Sequence, residues 1–341
     1  MRRQVASRAA AAEARAMRIH IQNDAADPHF VITPAQWQAA AAASGEPPHR
    51  VSFGSTPADF AAAQAAVELL IGPPAALRTL PRPLAAPCLR LVFVNAAGVD
   101  RLAPLDWLGE GVTLLNNRGV HGPKAGEYVA MAALLLAARL PALLEAQRAG
   151  RWYRTPTATL AGRRAVIVGT GDLGSAAARH LRLLGVGVTG VNTSGAPHPD
   201  FAAVVPVAEL DAALPGAWLL VLACPLTPAT QGLIGRSRLD LLPAGAGLVN
   251  IGRGALLDDA ALCDRLEAGR LGGAVLDVFP VEPLPHGHRL WRTPNLIVTP
   301  HLSCDDPADY SARSLAVLCA NLRAWRAGAA LPNRVDPARG Y

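Results

Sequence analysis

Three glycines spaced as GxGxxG (Gly169, Gly171 and Gly174) form the strongest local signal in the sequence. They follow the apolar run 165–168 (AVIV) and precede an Ala/Leu-rich stretch at 175–184. Between a strand and a helix, such glycines have separate tasks. Gly169 permits the tight turn, Gly171 lets backbone approach a pyrophosphate, and Gly174 lets helix and strand pack closely. The phosphates would sit at the positive end of that helix, where Asp172 and Leu173 stand. Glycine-rich turns without a ligand can match the same pattern, so the strand before it and the helix after it favour a dinucleotide site. The next apolar run, 187–191, leads into Asn192, Thr193 and Ser194. An acid at that point would bind the ribose 2′-hydroxyl of NAD and repel the 2′-phosphate of NADP. None is present and two hydroxyls are, so the expectation leans to NADP. NAD stays open because no Arg follows, and the alternative reading is that the three are turn residues with the cofactor held elsewhere.

Further segments recur in a fixed order. They are AGVD (97–100), NRGVHGP (117–123) followed by Glu127, CPLTPAT (224–230), NIGRG (250–254), LDVF (276–279) running on to EPLP (282–285), and TPH (299–301). With these segments the chain resembles the D-isomer-specific 2-hydroxyacid dehydrogenases, from about residue 17 to residue 331. The resemblance implies hydride transfer between NAD(P)H and a small 2-keto or D-2-hydroxy acid such as glyoxylate or hydroxypyruvate.

It also assigns roles, and each residue type suits its role. His301 would be the general acid for reduction and the base for oxidation, since imidazole titrates near neutrality. Glu282 would bond its other ring nitrogen and favour the imidazolium. Arg253 would clamp the substrate carboxylate with a planar, two-pronged donor that Lys lacks. The backbone N–H groups of Gly98 and Val99 would complete the carboxylate pocket. Cys224, Pro225 and Ile251 would wall the cofactor, and Asp277 would orient the nicotinamide amide. Taken singly, His301 reads as a surface histidine, Glu282 as a loop acid and Arg253 as an exposed turn. Their order behind a cofactor motif reverses that. A formate-oxidising relative would carry Gln at position 282. A non-enzymatic dinucleotide-sensing corepressor or scaffold on the same fold is the alternative from another class.

The elements that must position these residues alternate between short apolar runs and Ala/Leu-rich stretches, the mark of parallel α/β sheets. Strands are expected at 18–22, 50–53, 67–71, 90–95 and 112–115, with helices near 34–43 and 57–66. A long helix is expected over about 124–149, with Pro123 in its first turn and Pro141 kinking or dividing it. After a loop at 150–162, strands are expected at 165–169, 187–191, 218–223, 246–250, 273–277 and 295–298. The last helix, about 307–327, would return to the first domain. The expected fold is α/β with two Rossmann-like, doubly wound parallel-sheet domains, the cofactor domain inserted into the substrate domain. Residues 17–119 plus 305–341 would form the substrate domain and 120–304 the dinucleotide-binding domain. The cleft between them would close on substrate about a hinge near 118–122. Residues 1–16 read as a tail, or as a misassigned start with Met17 as the true one.

Bulk properties narrow the partners. The 341 residues are 51% apolar and 17% charged, with a net charge of +6. Arg2, Arg3, Arg8 and Arg15 against Glu13 place half of that excess in the prefix. The remainder is too weakly basic for a nucleic-acid protein. Lys124, the one lysine, reads as a surface charge at a helix start. Five scattered cysteines without a CxxC pair suggest reduced thiols in the cytoplasm and no metal site. Cys304, close to His301, is given no catalytic role. No apolar run reaches membrane-spanning length; residues 128–138 are followed by Arg139 and Pro141. The resemblance implies a homodimer through the cofactor domain. Trp152 and Tyr153 would border the active site or pack at a domain junction.

Overall fold

The computed structural model describes residues 16–337 and Gly340. The Arg-rich prefix, residues 1–15, lies outside the described residues. The chain forms two compact units. One comprises the residues up to Val120 together with those from Asp306 onward, and the other is His121–Asp305.

The first unit is built on a parallel sheet of β1 (Arg18–Gln22), β2 (Arg50–Gly54), β3 (Leu69–Gly72), β4 (Leu91–Val94) and β5 (Thr113–Leu115), ordered β2-β1-β3-β4-β5. The central strands β3 and β4 read LLIG and LVFV and are buried throughout, as a sheet covered on both faces requires. Alternate residues feed opposite cores. Leu69 and Ile71 pack with Trp37, Leu315, Leu318 and Leu322, while Leu70 packs with Phe60, Val92 and Trp107. The helices Pro34–Ser44 and Pro57–Ala63 begin alike, with Pro34 and Pro57 at the start and capping boxes from Thr33 with Gln36 and Thr56 with Asp59. The closing helix is Tyr310–Arg326. Met17 is buried in the same core.

The second unit carries seven parallel strands. They are β6 (Arg164–Val168), β7 (Gly187–Asn192), β8 (Ala203–Pro206), β9 (Leu219–Leu222), β10 (Gly247–Asn250), β11 (Gly273–Leu276) and β12 (Leu296–Val298). Their order is β12-β11-β10-β9-β6-β7-β8. The chain steps outward from β6 to β8, then crosses back to place β9 on the other side of β6. That reversal opens a crevice at the carboxyl ends of β6 and β9, where ligands of doubly wound sheets bind. On one face the helices Gly122–Ala137 and Asp172–Leu183 pack closely at Gly126, where a Cβ would overlap the His180 ring.

The stretch 124–149 is divided next to Pro141, one of the two outcomes expected there: it forms two helices, Gly122–Ala137 and Leu140–Arg148, bent by 61°. The break falls at Ala138 and Arg139, with Arg139 left-handed at φ 54°. Pro141 lacks an N–H, and its ring would clash with the carbonyl four residues back, so it sits in the first turn of a new helix. One expectation is corrected: the strand β8 stands between β7 and β9, where only helix was expected. It is a short, partly buried edge strand, and Pro206 ends it. Among the described residues, no single helix is long and apolar enough to cross a membrane.

Candidate active site

The glycine turn leaves β6 as its spacing demands. Gly169 has φ +104°, and a Cβ there would meet the carbonyl oxygen of Ala223 at 2.7 Å. A Cβ on Gly174 would overlap the carbonyl oxygen of Gly169, whereas one on Gly171 would meet open space. Gly171 precedes the helix Asp172–Leu183, and no side chain caps that helix. The Asp172 carboxylate lies against Gly122. A helix start with backbone N–H groups and empty space at the middle glycine fits a dinucleotide pyrophosphate.

At the end of β7, Asn192 braces its own turn. Its amide nitrogen donates to Thr170 Oγ1 at 3.1 Å and to the carbonyl of Ala196 at 3.0 Å. Its oxygen accepts from the N–H groups of Ser194 and Gly195. Thr193 and Ser194 are exposed beside it, with no carboxylate at that strand end.

Cys224 follows β9, and burial pushes its thiol up to about 12, so it stays neutral. The turn after it is closed by Thr230, whose hydroxyl accepts from the N–H of Thr227 and donates to the carbonyl of Pro225, both at 2.8 Å. The Ile251 side chain is buried in the core of the sheet.

Arg253 sits on a loop folded by Asn250, which is 1% exposed. The Asn250 side chain accepts from the N–H of Gly252 at 3.0 Å and donates to the carbonyl of Arg253 at 2.9 Å. A Cβ on Gly252 would approach the Cys224 carbonyl to 2.9 Å, and one on Gly254 would overlap the backbone of Phe279. The two glycines flanking Arg253 thus let three loops press together. The guanidinium is partly exposed and donates to the carbonyl of Gly252 at 2.8 Å.

His301 is the clearest convergence. Its Nδ1 lies 2.8 Å from Glu282 Oε2, and Glu282 Oε1 accepts from the N–H of Phe279 at 3.0 Å. A carboxylate only accepts, so Nδ1 carries the hydrogen and Nε2 is left as the other ring nitrogen. The His301 side chain is 41% exposed and that of Glu282 16%. Asp277 is fully buried. Its carboxylate accepts from the Thr299 hydroxyl at 2.6 Å and from the N–H groups of Leu302 and Ser303 at 2.9 Å. These bonds run to the loop that carries His301.

Sequence reasoning missed the side-chain work of Asn250, Thr299 and Tyr128, and the state of His121. Burial pushes His121 down to about 4; a backbone hydrogen bond to Cys304 works against that, and the positive charges of Arg253 and His301 add to it. A neutral imidazole therefore stands within electrostatic reach of both. His121 was visible within NRGVHGP, but nothing local marked its environment. Lys124 pairs with Glu127 at 3.4 Å on the surface, and burial pushes the Cys304 thiol up to about 12. Gly98 and Val99 follow β4 in the first unit, where the Val99 side chain is buried and Asn116 donates to the Ala97 carbonyl. Two open cavities of about 630 and 560 Å³ lie at the first unit's sheet, lined by Arg18, Arg50 and Glu68 and by His20, Ser52 and Asp59; no candidate residue lines either. Among the described residues, no group of three or more His, Cys, Asp or Glu side chains is arranged to hold a metal.

In the second unit, the glycine turn, Cys224, Arg253, Asp277 and His301 all follow the carboxyl ends of parallel strands, as in a nucleotide-dependent oxidoreductase. Comparison with known proteins gives the family. Residues 130–303 match the family model for the D-isomer specific 2-hydroxyacid dehydrogenase, NAD binding domain. The glyoxylate/hydroxypyruvate reductase A of Salmonella typhi is 32% identical over 269 residues, 76% of this chain and 84% of that protein. A D-isomer specific 2-hydroxyacid dehydrogenase from Xanthobacter autotrophicus Py2, solved with NADPH and MES, is similar with a TM-score of 0.81 and 30% identity, over 96% of this chain and 100% of that one. The NADPH-dependent glyoxylate/hydroxypyruvate reductase of Sinorhizobium meliloti, solved with NADP and sulfate, has a TM-score of 0.77 and 27% identity, over 95% and 100%. The chain belongs to the D-isomer-specific 2-hydroxyacid dehydrogenase family. It is an NAD(P)-dependent oxidoreductase, and the corepressor alternative is set aside.

Proposed function

We propose that the protein reduces small 2-keto acids of the glyoxylate and hydroxypyruvate type with NADPH. The observation that carries this is the His301–Glu282 pair, 2.8 Å apart, on the same edge of the sheet as Arg253 and the glycine turn. When bound, the cofactor supplies a hydride to the substrate's C2. The Arg253 guanidinium binds the substrate carboxylate and polarises the keto oxygen. His301 gives that oxygen a proton from Nε2, and Glu282 stabilises the imidazolium beforehand.

For the cofactor, the second unit offers Gly169, Gly171 and Gly174 with the N–H groups of Asp172 and Leu173. NADPH is favoured because Asn192 is neutral and the exposed Thr193 and Ser194 offer hydroxyls where an acid would repel a 2′-phosphate. The ligands named for the Xanthobacter and Sinorhizobium structures support that choice. We assign the protein to the cytoplasm, as a homodimer through the second unit. Its five cysteines are free thiols, and Met131, Leu134, Leu144 and Trp152 of that unit are exposed apolar side chains.

NADPH oxidation should follow addition of glyoxylate or hydroxypyruvate to the purified protein. Absence of turnover with a panel of short 2-keto acids and both cofactors overturns the reading. His301→Ala should lower kcat by a factor of about 100 or more while NADPH still binds. Activity surviving that change would remove His301 from the chemistry.

A further inference from the structure

His301 has φ +54°, a left-handed backbone that a residue with a Cβ keeps only where its surroundings hold it. Asp277 supplies much of that hold. Its main-chain carbonyl accepts from the N–H of His301 at 2.9 Å, and its carboxylate takes the next two N–H groups, of Leu302 and Ser303. Three successive amides are thus gripped by one buried residue.

The carboxylate is itself held from further away. Thr299 Oγ1 lies 2.6 Å from Asp277 Oδ1 and 2.5 Å from the hydroxyl of Tyr128. A carboxylate cannot donate, so the single Thr299 hydroxyl proton is committed to Asp277. The Tyr128 hydroxyl must then be the donor to Thr299. Tyr128 is 4% exposed on the helix Gly122–Ala137, and burial raises its phenol above the ordinary range, so the donor persists at working pH. The chain of bonds has one direction, from Tyr128 through Thr299 to Asp277, and it ends on the backbone of His301.

We propose that Tyr128 is a positioning residue for His301, fixing through Thr299 and Asp277 where the imidazole stands relative to Glu282. This rests on the reading of His301 as the proton donor. It also gives the Asp277 carboxylate a task within the protein, in addition to any contact with the nicotinamide amide.

Tyr128→Phe removes one hydroxyl and keeps the ring in the core. Its kcat should fall roughly five- to tenfold, the scale of one lost hydrogen bond. KM and Kd for NADPH should stay unchanged. The pH–rate profile for reduction should move to lower pH, because a loosened Glu282 contact favours the imidazolium less. Thr299→Val should reproduce the loss, and Thr299→Ser, which keeps the hydroxyl, should recover most of it. If Tyr128→Phe does not fold, the two Thr299 variants read the same chain from its middle. Native kcat with an unmoved profile would overturn the proposal. So would a kcat loss matched by equally weakened NADPH binding, which would place the effect on the cofactor. Titration of the His301 ring by NMR in cofactor-free protein needs no turnover. Superimposable curves for native protein and Tyr128→Phe defeat the positioning role. Displaced curves in a protein inactive on every keto acid would defeat the proposed substrate class and leave the positioning role standing.

Discussion

The Glu282 carboxylate is shared between two donors, His301 Nδ1 through Oε2 and the N–H of Phe279 through Oε1. Glu282→Gln keeps an acceptor for one donor and removes the charge that favours the imidazolium. Its kcat for reduction should fall and its pH–rate profile should move to lower pH, with NADPH binding unchanged; a profile that stays in place would deny the charge its role. Thr193 is exposed beside the braced Asn192, so Thr193→Asp adds a carboxylate without disturbing the brace. The ratio of kcat/KM for NADPH over NADH should drop about tenfold or more. An unchanged ratio would place the 2′-phosphate elsewhere. At this scale the sequence was informative where a residue type itself suits the proposed chemistry, as for Arg253, Glu282 and His301. It was silent where a side chain serves the backbone. The amide of Asn192, for example, braces its own turn, which nothing in the local sequence announces.

Elements place these residues through close backbone contacts, and the glycine turn separates two kinds of glycine. Gly174→Ala would drive a Cβ into the Gly169 carbonyl, so it should destabilise the protein by about 3 kcal/mol, read by denaturant unfolding. Gly171→Ala meets open space and should leave stability intact while weakening NADPH binding. Equal effects of the two on stability would contradict the assigned tasks. The helix Asp259–Glu267 carries a second test. Burial raises Asp259 to about 6, against the pull of His288 and with help from Asp258. An acid whose folded value is raised favours folding at low pH, and that contribution is lost as pH rises through about 6. Asp259→Asn should therefore raise Tm at pH 8 more than at pH 4; an equal change at both would reject the linkage. Most strands were legible from their apolar runs, because β3, β4, β9 and β10 are buried on both faces and read as continuous hydrophobic segments. β8 was not, since Pro206 stands within its apolar run, and a proline argues against a strand except at a sheet edge.

At the scale of the whole molecule, the chain's return closes the first unit. Arg326, in the last helix, makes a two-pronged pair with Glu46, and its Nη2 is 2.8 Å from Oε1. Burial opposes ionisation of Glu46, but hydrogen bonds from Arg326 and His49 outweigh it and hold the carboxyl at about 2. A depressed acid stabilises the fold above its ordinary value near 4.5 and loses that contribution as pH falls toward 2. Glu46→Ala should cost about 3 kcal/mol at neutral pH, because it removes the two-pronged carboxylate partner of the largely buried Arg326 guanidinium. The gap from native protein should narrow between pH 4.5 and pH 2; a constant gap would discard the pair as a source of acid sensitivity. Sedimentation should give a dimer, and Met131→Glu with Leu134→Glu should shift it toward monomer.

Taken alone, the sequence determined the turn glycines, the alternation of strands and helices, and the order of Arg253, Glu282 and His301. Those properties depend on local backbone freedom, hydrophobic periodicity and side-chain chemistry, all carried by neighbouring residues. The strand order that brings β9 beside β6 is a property of the packed chain. So is the chain of bonds from Tyr128 to Asp277, whose partners lie 171 and 22 residues apart. Such contacts exist only after sheets and helices have packed, when burial makes each polar group find a partner.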